Sequence, residues 1–388
     1  MKILIIGNRS HQFICNYVRF LRNAFERLSY PITIDILSQE VKGETFPSDY
    51  LYNSIYSLRM NPIFYKSRLI RGGVKQIKFR QQLQKLTNYD IVHIHYIEDI
   101  LIRDASFFSK NVKGRLIATI WGSDFLRATT QQKKQMTPIL DRADKITIAS
   151  QEVIDDFNNH YKSKNYDSKV AQCYFGLQPL ENLKNIIESN INQSTSKKTL
   201  GLSDKKIITI GYNATKNQRH IEIVKSIESN TDLLKFKNEI QFVLPMTYPK
   251  DDLYVEEINT LVKQSPFQHT IIRNFLDDDK VAHLRNATDI FIQLQPTDML
   301  SGSTIEHLAA GNIVTTGSWL PYRCLKEWGV YVREINNVMS VSKELFDILN
   351  NENDIKSNCK NNFSILAEKF LWKNVINDWL KVYDYGRN

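Results

Sequence analysis

Residues 289–318 read DIFIQLQPTDMLSGSTIEHLAAGNIVTTGS. The apolar residues 290–294 predict a buried strand, a polar turn follows, and small residues over 303–310 predict a helix that stops at Gly311 before a second apolar run. A strand, loop, helix, strand unit belongs to an α/β domain. Asp298 and Glu306 stand eight residues apart, with Gly302, Ser303 and Thr304 between them. A helix starting near Ser303 puts Glu306 in its first turn and Asp298 in the loop ahead. Free backbone N–H groups and the helix dipole at that start suit a diphosphate. The first-turn carboxylate is placed to accept ribose hydroxyls, and the loop carboxylate to face a sugar beyond the phosphates. The plainer explanation is that an acid near a helix start answers the dipole alone, with Gly311 serving only as the residue after the helix.

Working outward, residues 206–210, 240–244 and 270–272 read as strands, with helical runs at 221–227, 255–262 and 278–285. The turn GYNATKNQRHIEIV, residues 211–224, carries Asn213, Lys216, Arg219 and His220. Amides with a point charge and a guanidinium fork suit phosphate oxygens; a solvated loop with capping amides is the alternative. Earlier in the chain, residues 2–6, 32–37, 90–95, 115–121 and 145–149 alternate with amphipathic helical runs, as in a Rossmann-like domain. No G-x-G-x-x-G accompanies the first strand, so dinucleotide binding is not supported. Polar groups at strand ends face the ligand crevice of such folds, which singles out His93, His95, Trp121 and Asp124, with Glu98 close by; a histidine inside a strand is more often a core residue, and Asp124 could equally cap a following helix. The organisation expected is an N-terminal domain over 1–180, a polar Lys/Asn/Ser-rich linker over 181–200, a C-terminal domain over 201–365 and a terminal helix over 366–388. In that last stretch Leu366, Phe370, Val375, Ile376, Trp379, Leu380 and Tyr383 recur at helical spacing.

The 388 residues, 42% hydrophobic and 24% charged, suffice for two cores. There is no apolar run of membrane-spanning length, and the start MKILIIGNRS lacks a signal peptide's apolar region, so a cytoplasmic location is expected. Cys15, Cys173, Cys324 and Cys359 show no paired spacing, and no metal site is expected. The net charge of +9 is concentrated: residues 50–89 hold no acid but eight cations, Arg59, Lys66, Arg68, Arg71, Lys75, Lys78, Arg80 and Lys85, interleaved with aromatics. Cations with apolar anchors suit an anionic bilayer surface, so segment 51–89 predicts peripheral attachment to the inner face of the cell membrane. Nucleic acid is not expected, since no nucleic-acid-binding motif accompanies the patch.

Asp298-x7-Glu306, followed by His-Leu-Ala-Ala-Gly-Asn-Ile-Val, resembles the E-x7-E signature of glycosyltransferase family 4 and related GT-B enzymes, with Asp in place of the first Glu. The order of motifs resembles a GT-B glycosyltransferase along nearly the whole chain. A narrower resemblance, carried by residues 7–11, 120–124, 210–213 and Val-Leu-Pro-Met-Thr-Tyr-Pro at 243–249, is to the family 56 transferase of 4-acetamido-4,6-dideoxygalactose. The resemblance implies two Rossmann-like doubly wound domains facing across a cleft, with the donor nucleotide on the C-terminal domain, the acceptor on the N-terminal one, and a terminal helix crossing back. It implies transfer of a sugar from a nucleotide diphosphate sugar to a glycan or polyprenyl-diphosphate-linked acceptor in bacterial surface polysaccharide synthesis. No cofactor or metal is implied. The expected catalytic residues are Asp298, Asp124 and His95; the expected donor-binding residues are Glu306, Lys216, Arg219, Gly302, Ser303, Thr304 and Asn213. The D-x7-E pattern favours retention, while inversion with Asp124, His95 or Glu98 as base is the alternative. Trp121 stands where many family 4 members carry a histidine. A silent glycan-binding or assembly subunit and a GT-B nucleotide-sugar 2-epimerase are the rival readings.

Overall fold

The computed structural model describes residues 1–38, 46–58, 68–249 and 251–384, with Arg68 and Leu69 described by their backbone only. Among the described residues, thirteen strands form two wholly parallel sheets. The first contains β1 (Lys2–Gly7), β2 (Thr33–Ser38), β3 (Ser54–Ser57), β4 (Ile91–His95), β5 (Arg115–Ile120), β6 (Lys145–Ile148) and β7 (Val170–Gln172). The second contains β8 (Lys206–Ile210), β9 (Ile240–Pro245), β10 (Gln268–Ile272), β11 (Ile290–Gln293), β12 (Ile313–Gly317) and β13 (Arg333–Ile335). Their orders are β3-β2-β1-β4-β5-β6-β7 and β10-β9-β8-β11-β12-β13. In each, the winding reverses beside the first strand, between β1 and β4 (Ile5 opposite His93) and between β8 and β11 (Ile210 opposite Ile292). Ligands of open α/β sheets bind beyond the strand ends at such a reversal, so each sheet offers one crevice.

Burial explains why these segments are strands. Residues 3–6 are wholly buried, as are Ile207, Ile208, Ile210 and Ile290, and a parallel sheet covered on both faces needs continuous apolar runs. The chain divides into one unit of residues 1–176 with 372–388 and another of residues 177–371. Among the described residues, no helix is long and apolar enough to cross a membrane.

The linker expected at 181–200 is instead structured within the second unit. Helices Gln178–Glu188 and Gln193–Thr199 occupy it, and both pack on helix Asp278–Ala287. The polar composition misled because these side chains have partners: Gln193 Nε2 donates to Asp289 Oδ1 at 2.9 Å, Asn286 Nδ2 to Ser196 Oγ at 2.8 Å, and Lys197 Nζ lies 3.7 Å from Asp289. Leu180, Leu183 and Ile186 supply the apolar face.

The terminal stretch also divides later than residue 366. Helix Asn362–Phe370 stays in the second unit, where Leu177 N donates to Phe370 O at 3.0 Å, and the return begins at Trp372. Helix Trp372–Val382 buries Trp372, Val375, Ile376 and Trp379 against Tyr17, Leu21 and Phe25. Trp379 Nε1 donates to Tyr174 O at 2.8 Å, and Arg115 pairs with Asp384 at 2.6 Å. A Cβ on Gly176 would lie 2.3 Å from the Trp372 ring, so the outgoing chain passes this tryptophan only without a side chain.

Candidate functional site

In the second unit, β8 leads through Gly211 into the turn that carries the cations. Gly211 has φ of 64°, and a Cβ there would come within 2.7 Å of Gln218 Oε1 and 2.9 Å of His220 Nε2, so only glycine fits. Gln218 Oε1 accepts from Tyr212 N at 3.2 Å, and Asn213 Oδ1 accepts from Thr215 N at 3.0 Å and Thr215 Oγ1 at 2.7 Å. Asn213 thus shapes the turn. His220 is fully buried with Nδ1 at 3.2 Å from Tyr254 OH, and burial lowers it to about 4, so the ring is neutral. Lys216 is exposed beside Tyr254, and the half-buried Arg219 lies with its guanidinium 5.5 Å from the Trp319 ring. Ala214 N donates to Tyr248 O at 2.7 Å, tying this turn to the Pro-Met-Thr-Tyr-Pro exit of β9.

The loop after β11 is built around Asp298. One oxygen accepts from Met299 N at 2.9 Å; the other accepts from Gln293 Nε2 and Ser301 N, both at 3.2 Å, and from Tyr322 OH. Leu300 adopts φ of 54° to complete the turn. Ser301 then caps helix Gly302–Ala309, accepting from Thr304 N, so the helix begins one residue before Ser303. The Thr304 hydroxyl is engaged with Ser301 Oγ at 2.9 Å, whereas the buried Ser303 hydroxyl has no partner among the described residues.

Glu306 therefore stands one residue further in than the sequence spacing suggests, and the first turn holds no acid. It is 4% exposed, and its Oε2 accepts from Arg285 Nε and Nη2, each at 3.0 Å. Burial raises the carboxyl and Arg285 opposes the rise, leaving it at about 7. Arg285 also approaches His307 Nε2 at 3.0 Å, and Asn312 Nδ2 approaches His307 Nδ1 at 2.7 Å. The His307 ring stacks 3.9 Å from Phe291. A helix-dipole explanation of Glu306 is set aside by this geometry: a buried acid with its own guanidinium is a constructed feature.

Sequence reading missed Arg285 and Tyr322. Arg285 sits 21 residues before Glu306 in a helix that reads as amphipathic, and only the buried Leu284 and Ala287 flanking it hint that it faces inward.

In the first unit, the reversal between β1 and β4 gathers Gly7, His95 and Trp121. A Cβ on Gly7 would lie 2.8 Å from Ile14 Cδ1, so a side chain there would collide with the following helix. His93 is a core residue, with Nδ1 2.7 Å from Tyr383 OH and Nε2 2.6 Å from Thr119 Oγ1. His95, its ring centroid 4.0 Å from that of His93 and tilted to it, is 1% exposed and has neither ring nitrogen paired among the described residues. Burial lowers it to about 3, so it is a neutral imidazole. The buried Trp121 Nε1 is likewise unpaired, and Tyr17, Phe175 and Trp121 surround the His95 ring.

Asp124 turns out to be a loop clamp. Its Oδ2 accepts from Ile97 N at 3.1 Å and its Oδ1 from Trp121 N at 3.0 Å, joining the turns after β4 and β5. Burial raises it to about 6 against these backbone donors. Each oxygen accepts a backbone N–H, so Asp124 positions Trp121 against the turn after β4. Glu98 is raised by burial with Lys75 opposing.

Within the basic segment, Arg59, Lys66, Phe64 and Tyr65 lie outside the described residues. Helix Arg68–Lys85 carries the rest; Arg80 is bonded to the buried Asp104 at 3.0 and 2.5 Å, which removes it from the freely solvated cations. Ile70 and Ile77 are 53% and 58% exposed on this helix.

Residues 2–151 match the family model described as Glycosyl transferase 4-like. No curated protein matches the chain in sequence. Sucrose-phosphate synthase from Thermosynechococcus elongatus superimposes with a TM-score of 0.75 at 15% identity, covering 99% of this chain and 98% of that one. The Anabaena protein Alr3699/HepE, solved with UDP and glucose, gives 0.70 at 12% identity with 99% of each chain covered. A UDP-forming trehalose-phosphate synthase from Burkholderia xenovorans gives 0.72 at 11% identity, with 98% of each covered. The architecture is the GT-B fold, and residues 2–151 are similar to the glycosyl transferase 4-like family.

Proposed function

We propose that this chain is a nucleotide-sugar-dependent glycosyltransferase, with the donor held by the second unit and the acceptor hydroxyl by the first. The observation that carries the donor half is the assembly around helix Gly302–Ala309: an open start with an unpartnered Ser303 hydroxyl, preceded by the Asp298 loop and backed by the Arg285–Glu306 pair. Backbone N–H groups of Gly302 and Ser303 would receive the diphosphate, aided by the dipole. Lys216 and Arg219 supply cations for charge that develops on the leaving diphosphate, and the scheme calls on no metal. With Oε2 held by Arg285, Glu306 keeps its other oxygen for ribose hydroxyls. Asp298 acts through the loop that it ties down, so the donor sugar would meet backbone groups of 299–302. UDP-bound Alr3699/HepE and the UDP-forming synthase are the support for a uridine donor.

In the first unit, the neutral His95 and the Trp121 N–H are the hydrogen-bonding groups left for an acceptor hydroxyl. Occupation of both Asp124 oxygens favours the retaining route that D-x7-E suggests over base-driven inversion. A lipid-linked acceptor in surface polysaccharide synthesis fits the basic helix and its exposed isoleucines, which would rest on an anionic membrane surface. The narrower likeness to the 4-acetamido-4,6-dideoxygalactose transferase remains part of this proposal.

The test is a thermal-shift panel of UDP-, dTDP- and GDP-sugars, since a ligand of the native state alone raises its apparent stability, followed by release of nucleoside diphosphate with acceptor present. We expect stabilisation by a UDP- or dTDP-sugar and acceptor-dependent release. Stabilisation without release under any acceptor would refute transfer and favour a silent binding subunit.

A further inference from the structure

Helix Arg68–Lys85 precedes β4 and runs opposite to it, so its first half lies at the edge where the strands end. Helix Asp99–Arg103 follows β4 at that same edge. Between the two helices is a cavity of about 380 Å³, lined by Arg71, Gly72, Lys75, Gln76, Asp99 and Arg103 among others. This is more than ten times the roughly 30 Å³ that one water occupies in the liquid.

The charges around it do not balance. Arg71, Lys75 and Arg103 make no ion pair among the described residues, whereas the neighbouring Arg80 is neutralised by Asp104. Asp99 is the one acid in the lining named above, and one of its oxygens is approached by Gln132 Nε2 at 3.4 Å. Gln76 donates to Asp104 Oδ1 at 2.6 Å, which fixes its side chain at the wall. Arg103 Nη1 lies against the helix at Gly72, 3.5 Å from where a Cβ would stand, an ordinary contact distance. Burial lowers Lys75 below the ordinary lysine value; Glu98 and Asp99 oppose this, and Arg71 and Arg103 add to it. Three cations therefore line one cavity, Arg71 and Arg103 exposed and Lys75 half-buried, and an anion between them would be stabilised.

We propose that this cavity binds a phosphoryl group, a phosphate or diphosphate, with Arg71 and Arg103 as forks and Lys75 as the central point charge. The reading of the chain as a glycosyltransferase bears only on the source: a phosphorylated acceptor in solution, or a phosphate headgroup at a membrane. The chemistry is the same in both.

A brief pulse of acetic anhydride, read at Lys75 by peptide mass spectrometry, tests it on the full chain without requiring turnover. An inactive protein with a protected Lys75 would therefore refute the transferase reading and leave this site standing. With inorganic pyrophosphate at about four times its Kd, labelling of Lys75 should slow about fivefold, as 1 + [L]/Kd dictates, while the exposed Lys113 is unaffected. Protection by pyrophosphate alone identifies a soluble ligand. Protection only by phosphatidylglycerol vesicles, and not by phosphatidylcholine vesicles, identifies a headgroup. Arg71→Gln with Arg103→Gln should abolish protection, with an unaltered melting profile showing that the fold is intact. Asp99→Asn should lower the half-protecting concentration about threefold by removing the opposing charge. Unprotected Lys75 with both ligands, protection undiminished in the double variant, or protection by duplex DNA but not pyrophosphate would overturn the proposal.

Discussion

The two reversal points are alike in topology and differ in which buried groups are left without a partner. Beside β11, the acids are already committed: Asp298 accepts from four donors, and Glu306 shares its Oε2 with both donors of one guanidinium. Beside β4, His95 and Trp121 hold buried nitrogens that no described group meets. A network completed within the protein fixes geometry before a ligand arrives, whereas buried groups without partners cost stability until something supplies them. The contrast is between acids held by their own network in the second unit and buried ring nitrogens without partners in the first.

The largest effect is expected from Arg285→Met, which strands Glu306 in the core. Loss of one member of a buried pair costs about 3–5 kcal/mol, and a denaturant melt of the second unit should show it. Adding Glu306→Gln should return part of the loss. A single-variant cost below about 1 kcal/mol would break the claim that the pair is a constructed element. The same carboxyl carries a pH signature. Its value is raised from 4.5 to about 7, so its contribution is complete below pH 4.5 and is lost as pH rises through 7. Glu306→Gln should flatten that fall in melting temperature between those limits.

Next in size is Asp298→Asn. It retains one acceptor oxygen but turns an amide toward donors, so about 1.5–3 kcal/mol should be lost. Donor affinity should fall with it, measured by calorimetry, because the loop ahead of Gly302 slackens. An unchanged affinity with a lowered melting point would confine Asp298 to structure.

Two adjacent histidines sharpen the comparison inside the first unit. His93→Leu deprives Tyr383 OH and Thr119 Oγ1 of one partner each, leaving them Tyr17 OH and Thr147 Oγ1, and should cost about 1–3 kcal/mol. The smallest effect on stability belongs to His95→Leu, which removes an imidazole with no partner and should stay within about 1 kcal/mol of the parent. Its transfer rate should nevertheless collapse while donor binding persists. A cost equal to that of His93→Leu would mean that the two rings are both structural.

Much of the arrangement follows from local sequence. Continuous apolar runs such as Lys2-Ile-Leu-Ile-Ile mark strands buried on both faces, and their alternation with helical runs marks a doubly wound class. Gly211 and Gly302 are legible too, since a left-handed turn and a helix entry each have a residue preference that acts over a few positions. The residues 181–200 were misread because polarity along the chain does not reveal whether a Gln or Lys finds a partner 96 or 92 positions away, as Gln193 and Lys197 do at Asp289.

What tertiary structure alone decided is which polar groups are satisfied. The sequence names Asp124 at a strand end, Asp298 in a loop and Glu306 near a helix start, yet it is the fold that clamps the first to two backbone amides, the second to Tyr322 and the third to Arg285. It names His93 and His95 as alternating residues of one strand, and it is the returning Tyr383 that satisfies one and leaves its neighbour open. The physical reason is range. Propensity and periodicity are set by neighbours within a turn or a pleat, whereas a hydrogen bond depends on distance in space, and Tyr383 reaches His93 across 290 residues.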